Sequence, residues 1–238
     1  EIIDTTNNTV TTYANFFNKS KYRRTSQIVE DKIYVIGSSD RGLDIIDTSN
    51  NTVTTDTGFF SASWNRYISH LVGTKIYIPQ GSGTALQIID TTNNTVTTRS
   101  SFFNASRQKY TSQLVGTKIY IPENNGTDLE IIDTTNNTVT TYDNFFNASR
   151  IRRTSQLVGT KIYIPSGTAL EIIDTTNNTV TTLPSFFNAS RNRYTSQLVG
   201  TKIYIPEYNG TGLEIIHTTI NTLPVRNNTE TQRRQVSS

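Results

Sequence analysis

The chain has 238 residues, no Cys, no Met, two His and a formal net charge of +3. Without Cys there is no disulfide framework, Cys-ligated zinc site or thiol nucleophile, and two His far apart in sequence argue against a multi-His metal centre. No apolar run approaches the roughly 18 residues of a membrane helix. The 24 Asn and 42 Thr do not make a disordered tract, because Ile, Val, Leu, Phe and Tyr are spread evenly and the net charge is small.

A repeat organises everything else. The motif Glu-Ile-Ile-Asp at residue 1 returns at Asp44, Gln87, Glu130, Glu171 and Glu214, with spacings of 43, 43, 43, 41 and 43. Four strand candidates fill each unit. They are lettered a (TSQLV), b (KIYI), c (LEIID) and d (TVTT), outward from the expected centre of the fold. In chain order c comes first, then a Thr-Thr-Asn-Asn turn into d. Asp and Asn suit that turn because their side chains bond nearby amides and Asn tolerates a left-handed backbone. A Phe-Phe pair and a cationic loop follow, then a, a Gly-Thr turn such as Gly116-Thr117, and b. No 3.6-residue apolar period appears, so no helix is predicted.

Four strands in about 43 residues predict an all-β fold, a β-propeller of four-stranded antiparallel blades. Strands a and b read as buried between blades, and Thr-rich d as the outer edge. Residues 1–225 form one propeller domain on this reading, and residues 226–238 a basic polar tail. Five a–b hairpins stand against six c–d hairpins. The expected solution is five blades, with residues 1–12 pairing with strand b at 202–206 and residues beyond about 214 left peripheral. His217 and Ile220, which degrade the last turn, favour it. The alternative is six or more blades with part missing. Lacking a start Met and a signal-like segment, the chain is expected to be processed, truncated or a fragment.

The stretch from Arg24, RTSQIVEDKIYVIGSSDRGLDIIDTSNNTVTT, resembles a Kelch repeat, and the likeness recurs along essentially the whole chain. The Gly doublet survives only as Gly37-Ser38, other units carry Pro79, Pro122, Pro165 or Pro206 there, and Val10, Val53, Val96, Val139 and Val180 replace the Trp. The IDTTNNTV segment is also similar to YVTN-type repeats of microbial surface-layer proteins. Both resemblances imply binding or scaffolding more than catalysis. Copper-oxidase relatives of the Kelch family use Cys, which is absent here.

A cation recurs before strand a as Arg23, Arg66, Lys109, Arg152 and Arg193, preceded by Lys21, Trp64, Arg107, Arg150 and Arg191. One reading is a cationic ring on the face shared by the b–c and d–a loops, binding an acidic glycan, a phosphate-rich ligand or an acidic protein surface. The other is structural: each cation packs between blades and pairs with acids such as Glu130 and Glu171. Trp64, the only Trp, is a candidate ligand anchor, and His70 stands where other units carry Gln27, Gln113, Gln156 and Gln197. The Phe-Phe pairs read as plugs between blades, and Tyr34, Tyr77, Tyr120, Tyr163 and Tyr204 as core.

Twelve N-x-Ser/Thr sequons fall in predicted turns or loops: Asn7, Asn18, Asn50, Asn93, Asn104, Asn125, Asn136, Asn147, Asn177, Asn188, Asn209 and Asn227. The Asp-Thr-Thr-Asn-Asn turn lacks the glycine and terminal Glu of a calcium loop and reads as an ordinary Asx turn. Near-identical units offer no asymmetric nucleophile, base and orienting group. The expectation is a non-enzymatic protein without metal or cofactor, acting as a surface-displayed or extracellular binding or structural module. It would meet a protein or glycan through the loop face and can build higher-order assemblies. The alternative is a cytoplasmic Kelch-like adaptor. Nucleic acid is not expected, since the tail holds +2 and leaves +1 for the body.

Overall fold

The structure, a computed structural model, describes residues 1–17 and 22–218. Asn18, Lys21, Asn227 and the 226–238 tail lie outside the described residues. Every described element is a strand. In chain order they are β1 (Ile2–Asp4), β2 (Thr9–Thr11), β3 (Tyr22–Val29), β4 (Lys32–Ser38), β5 (Leu43–Asp47), β6 (Thr52–Asp56), β7 (His70–Val72) and β8 (Lys75–Pro79). Next come β9 (Ser82–Gly83), β10 (Leu86–Asp90), β11 (Thr95–Arg99), β12 (Arg107–Gln108), β13 (Gln113–Val115), β14 (Lys118–Pro122), β15 (Leu129–Asp133) and β16 (Thr138–Tyr142). The last are β17 (Gln156–Val158), β18 (Lys161–Ser166), β19 (Ala169–Asp174), β20 (Thr179–Leu183), β21 (Gln197–Val199), β22 (Lys202–Pro206) and β23 (Leu213–His217).

The chain divides into two compact units, Glu1–Gly81 with Ala85–Ser100, and Ser82–Thr84 with the residues from Ser101 onward. The first holds the β1–β2 hairpin and two antiparallel sheets, β3-β4-β5-β6 and β7-β8-β10-β11. The second holds the short β9–β12 pair, the sheets β13-β14-β15-β16 and β17-β18-β19-β20, and β21-β22-β23. Four blade sheets keep the order a-b-c-d, and the fifth keeps a-b-c among the described residues. The fold is a five-bladed β-propeller, and its last blade has three described strands.

Register follows from the repeat. Pro pairs with Leu at the b–c loop end, as in Pro122↔Leu129 and Pro165↔Leu170, and Lys pairs with Asp at the other end, as in Lys118↔Asp133 and Lys161↔Asp174. The Asx turns form as the composition predicts. Asp133 Oδ1 accepts from the Thr135 amide at 3.0 Å, and Asn136 Oδ1 accepts from the Thr138 amide at 3.1 Å. The second Asn takes the left-handed backbone, with φ of 56° at Asn8, 57° at Asn51, 53° at Asn94, 55° at Asn137 and 54° at Asn178.

At the a–b turn the same region is held by Gly73, Gly116, Gly159 and Gly200, but by Glu30 (φ 54°) in the first blade. A β-carbon is disfavoured there. Glu30→Gly is therefore expected to stabilise the chain by roughly 0.5–1 kcal/mol, read as a rise in the urea midpoint. An unchanged or lower midpoint would show that Glu30 earns its place through its side chain.

The core sits between consecutive blades. In the first unit Tyr34, Ile36 and Leu43 of one blade and Phe60 from the loop after it pack on Ile76, Ile78 and Ile89 of the next. In the second unit Tyr120, Leu129, Ile131 and Phe146 meet Ile162, Ile164 and Ile173, and Tyr163, Leu170 and Phe187 meet Ile203, Ile205 and Ile216. The buried strands are b and c, whereas a is half-buried. The expectation that a and b are the pair buried on both faces fails for a. This edge strand has one sheet neighbour, and its polar side chains reach the following blade. Gln113 Nε2 donates to the Ser155 carbonyl at 2.8 Å, and Thr111 shares a 2.7 Å hydroxyl bond with Ser155.

Strand b of the last blade does not take residues 1–12 as its partner. β22 pairs with β23 from Lys202↔His217 to Pro206↔Leu213, so residues 213–217 are strand c of that blade and not a peripheral segment. A short b–c loop makes the local partner entropically cheap. His217 stands in β23 where other blades end strand c on Asp, while Ile215 and Ile216 keep the apolar strand; Ile220 lies outside the described residues. β1 pairs with β2, and Ile2 and Ile3 are 47% and 67% exposed.

His70 stands in β7 where four other units carry Gln. Burial lowers its imidazole pKa from 6.5 to about 4. The unfolded imidazole therefore binds a proton across a window in which the folded one stays neutral, and stability falls as pH drops from 6.5 towards 4. His70→Gln is expected to flatten that slope, measured as urea midpoints at about pH 7 and about pH 5. An identical slope in the variant would assign the pH dependence to other groups.

Candidate functional site

The recurring cation is placed by a fixed local path. The chain leaves strand d and buries the second Phe of the pair. It then turns the cation back over that ring before entering strand a. The Phe amide is held by the blade's own b–c loop, as in Phe146 N to Thr127 O at 2.8 Å and Phe187 N to Thr168 O at 3.0 Å. The two rings of each pair meet edge to face, with centroids 5.1 Å apart for Phe145–Phe146. The guanidinium carbons of Arg66, Arg152 and Arg193 then lie 3.9, 3.8 and 4.0 Å from the centroids of Phe60, Phe146 and Phe187. Lys109 Nζ is 4.2 Å from Phe103, and Arg23 is 3.7 Å from Phe17.

These cations are buried, with Arg66, Lys109 and Arg152 at 0% exposure and Arg193 at 5%. Arg152 donates Nε to Glu171 Oε2 at 2.6 Å and a terminal nitrogen to Oε1 at 2.8 Å. It also donates to the carbonyls of Glu123 and Gly126 in the preceding blade at 3.0 and 2.7 Å, and to Ala148 at 3.0 Å. Arg193 grips Glu214 and the Gly167 carbonyl in the same way, at 2.5 and 2.6 Å. Lys109 reaches Glu130 at 3.3 Å and the Gly83 carbonyl at 3.0 Å. Arg23 pairs with Asp44 at 3.0 Å. Each is a latch tying the b–c loop of the preceding blade, or a strand c, to its own Phe. A ligand-facing ring built from Arg23, Arg66, Lys109, Arg152 and Arg193 is not what the geometry presents. The reason is the short lever from loop to strand c, where a carboxylate, or Gln87 opposite Arg66, waits in a dry gap.

Charge matching explains the titration behaviour. Opposite Arg66 the strand-c residue is neutral Gln87, whose Oε1 accepts from Nε at 2.7 Å. Desolvation lowers that guanidinium to about 10, opposed by Asp40. Burial raises the Glu130 carboxyl, against the pull of Lys109 and Arg107, and lowers the Lys109 ammonium, against the pull of Glu130.

The residue two before each latch behaves differently. Trp64 is half-buried and bridges to Asp40, with its carbonyl accepting from the Ser39 amide at 2.9 Å. Arg107 is enclosed by Asp128 at 2.7 Å, Asp143 at 3.3 Å and Glu130 at 3.4 Å. Arg150 and Arg191 are 25% and 36% exposed in their side chains. With Ser149, Ile151, Pro165, Gly167, Ser190, Asn192 and Arg193 they line a cleft of about 230 Å³ in the second unit. Residue type alone could not separate buried from open cations. The shorter, 41-residue spacing was the one signal pointing to this place, since it removes two residues from the b–c loop beside the cleft.

The described sequon residues Asn7, Asn50, Asn93, Asn104, Asn125, Asn136, Asn147, Asn177, Asn188 and Asn209 are all exposed. Among the described residues there is no group of three His, Cys, Asp or Glu placed to hold a metal ion, and no helix long and apolar enough to cross a membrane.

No family model matches the chain, and no curated protein matches it in sequence. Solved structures do share the fold. One is BamB from Moraxella catarrhalis, at a TM-score of 0.58 and 12% identity over 84% of this chain. Another is the extracellular domain of the putative hybrid two-component system BT3049 from B. thetaiotaomicron, at 0.59 and 13% over 87%. The chain spans 58% of the first of those chains and 29% of the second. At this identity the likeness is one of fold.

Proposed function

We propose that the protein is a non-enzymatic binding module, displayed on a surface or outside the cell, whose b–c/d–a loop face takes an acidic glycan or an acidic protein surface. One observation carries the reading. Beneath that face a cation lies over a Phe ring in every blade, while the residue two positions earlier, Trp64, Arg107, Arg150 or Arg191, differs in partners and exposure, the three arginines at 9%, 25% and 36%. A scaffold held from within leaves its loops open to specialise. Kelch-like ancestry of the repeats fits this use. Exposed sequons on every described c–d turn, and the extracellular domain among the solved structures of this fold, support display outside the cell.

The test is a panel of neutral and acidic oligosaccharides and acidic peptides, probed with the full chain at low and at physiological salt. Binding confined to acidic members and weakened by salt is expected. Equal binding of neutral members, or none of acidic ones, would overturn the reading. For the location, intact mass should drop on enzymatic deglycosylation of material from its native source. An unchanged mass would favour the cytoplasmic adaptor.

A further inference from the structure

Blades that share a sequence need not share a surface, and the fourth blade differs in one place. Counted from Pro to Leu, its b–c connection is two residues shorter than that of the third blade, with Gly167 and Thr168 alone joining β18 to β19. In the third blade the corresponding loop carries Asn125, whose amide bonds the Arg150 carbonyl at 2.8 Å. The shortened loop borders the 230 Å³ cleft.

Arg107 and Arg150 occupy the same repeat position, 43 residues apart. Arg107 is neutralised by Asp128 and Asp143, at 2.7 and 3.3 Å. Counting from strand c and from the Phe pair, the matching residues of the fourth blade are Ala169 and Pro184. Both dedicated acids are gone and the arginine remains. Its Nε is buried, makes no hydrogen bond, and stands 3.5 Å from Glu171 Oε1, a carboxylate already taken by Arg152. Across the cleft Arg191 is held by Glu207.

We propose that this cleft is a carboxylate-binding site for an acidic sugar, anchored by Arg150; the proposal rests on the reading of the loop face as the ligand surface. A guanidinium fork meets a carboxylate through two parallel hydrogen bonds. Ser149, Ser190 and Asn192 supply hydroxyl and amide partners for ring hydroxyls, and Ile151 with Pro165 forms an apolar wall for a ring face. The volume is below the roughly 300–1,000 Å³ of clefts that enclose drug-sized ligands, so it suits one terminal residue of a chain. Successive blades supply no second copy of this loop, so one site per chain follows.

Glucuronate, with glucose as its neutral counterpart, is titrated calorimetrically into the full chain. Glucuronate is expected to bind at one site and glucose not to bind. Arg150→Gln is expected to weaken glucuronate at least tenfold. Pro184→Asp restores at an exposed position the acid that Asp143 supplies to Arg107, and is expected to weaken it similarly with an unchanged melting temperature. If Arg150→Gln fails to fold, Pro184→Asp decides. Wild-type affinity in Pro184→Asp overturns the assignment. Binding of acidic panel members without glucuronate binding overturns the cleft alone, and loss of all acidic binding overturns both it and the reading beneath it.

Discussion

Arg152→Ala is expected to destabilise the protein by about 3 kcal/mol, because it leaves the Glu171 carboxylate, at 0% exposure, with the Ser166 hydroxyl at 3.0 Å and a looser approach of Arg150 at 3.5 Å in place of a two-pronged ion pair. The same change deletes four donations to loop carbonyls and the contact with Phe146. The Coulomb attraction is not the main quantity at stake. Removing the main partner leaves the other charge desolvated and under-compensated, which costs more than the pair contributes. Arg152→Met combined with Glu171→Leu should therefore recover a large part of the loss. Arg23→Ala should cost less, about 2 kcal/mol, since that side chain is 20% exposed and water can enter the gap it leaves, while the Thr55 hydroxyl still donates to buried Asp44 at 2.7 Å. Urea unfolding of the four proteins checks the series. A double variant no more stable than Arg152→Ala would show that the carbonyl contacts dominate the latch.

Phe146→Ala is the second large effect, with an expected loss of about 3–5 kcal/mol. Phe146 is 1% exposed at the junction of Tyr120 and Leu129 with Ile162 and Ile164. Its removal opens a cavity between blades and leaves the Arg152 guanidinium without the ring it covers, a contact worth on the order of 1 kcal/mol. Phe145 is half-buried at the edge of the same cluster, so Phe145→Ala should cost about 1 kcal/mol. The pair separates a plug from its cover, and denaturant midpoints measure both. Equal losses would mean that the two rings act as one unit.

The fold was legible because duplication prints the same instructions several times. Gly116 before Thr117 specifies a left-handed turn residue, and so does Asn137 after Asn136. The 43-residue spacing counts four strands per unit. Pairing at the chain's last blade was not legible, since Ile215 and Ile216 and Ile2 and Ile3 are equivalent strings and only loop length separates them. Nor was the destiny of the cations. Arg150 and Arg152 are two residues apart and chemically identical, yet one is sealed against Glu171 while the other borders a cleft. The alternation of a chain passing over a Phe ring decides between them, and no composition or period encodes it.

The latches also bear on how the chain finds its structure. An Arg that recognises a Phe, an acid and two carbonyls carries no address when the next blade offers the same set. A blade can dock on the wrong neighbour at little cost, the misassembly to which repeat proteins are prone. The small departures then act as addresses. Arg23 meets the shorter Asp44, Arg66 meets uncharged Gln87, and Lys109 replaces Arg opposite Glu130. Only Arg152 with Glu171 and Arg193 with Glu214 are interchangeable in kind, and it is between these two that a refolding chain would most often exchange partners.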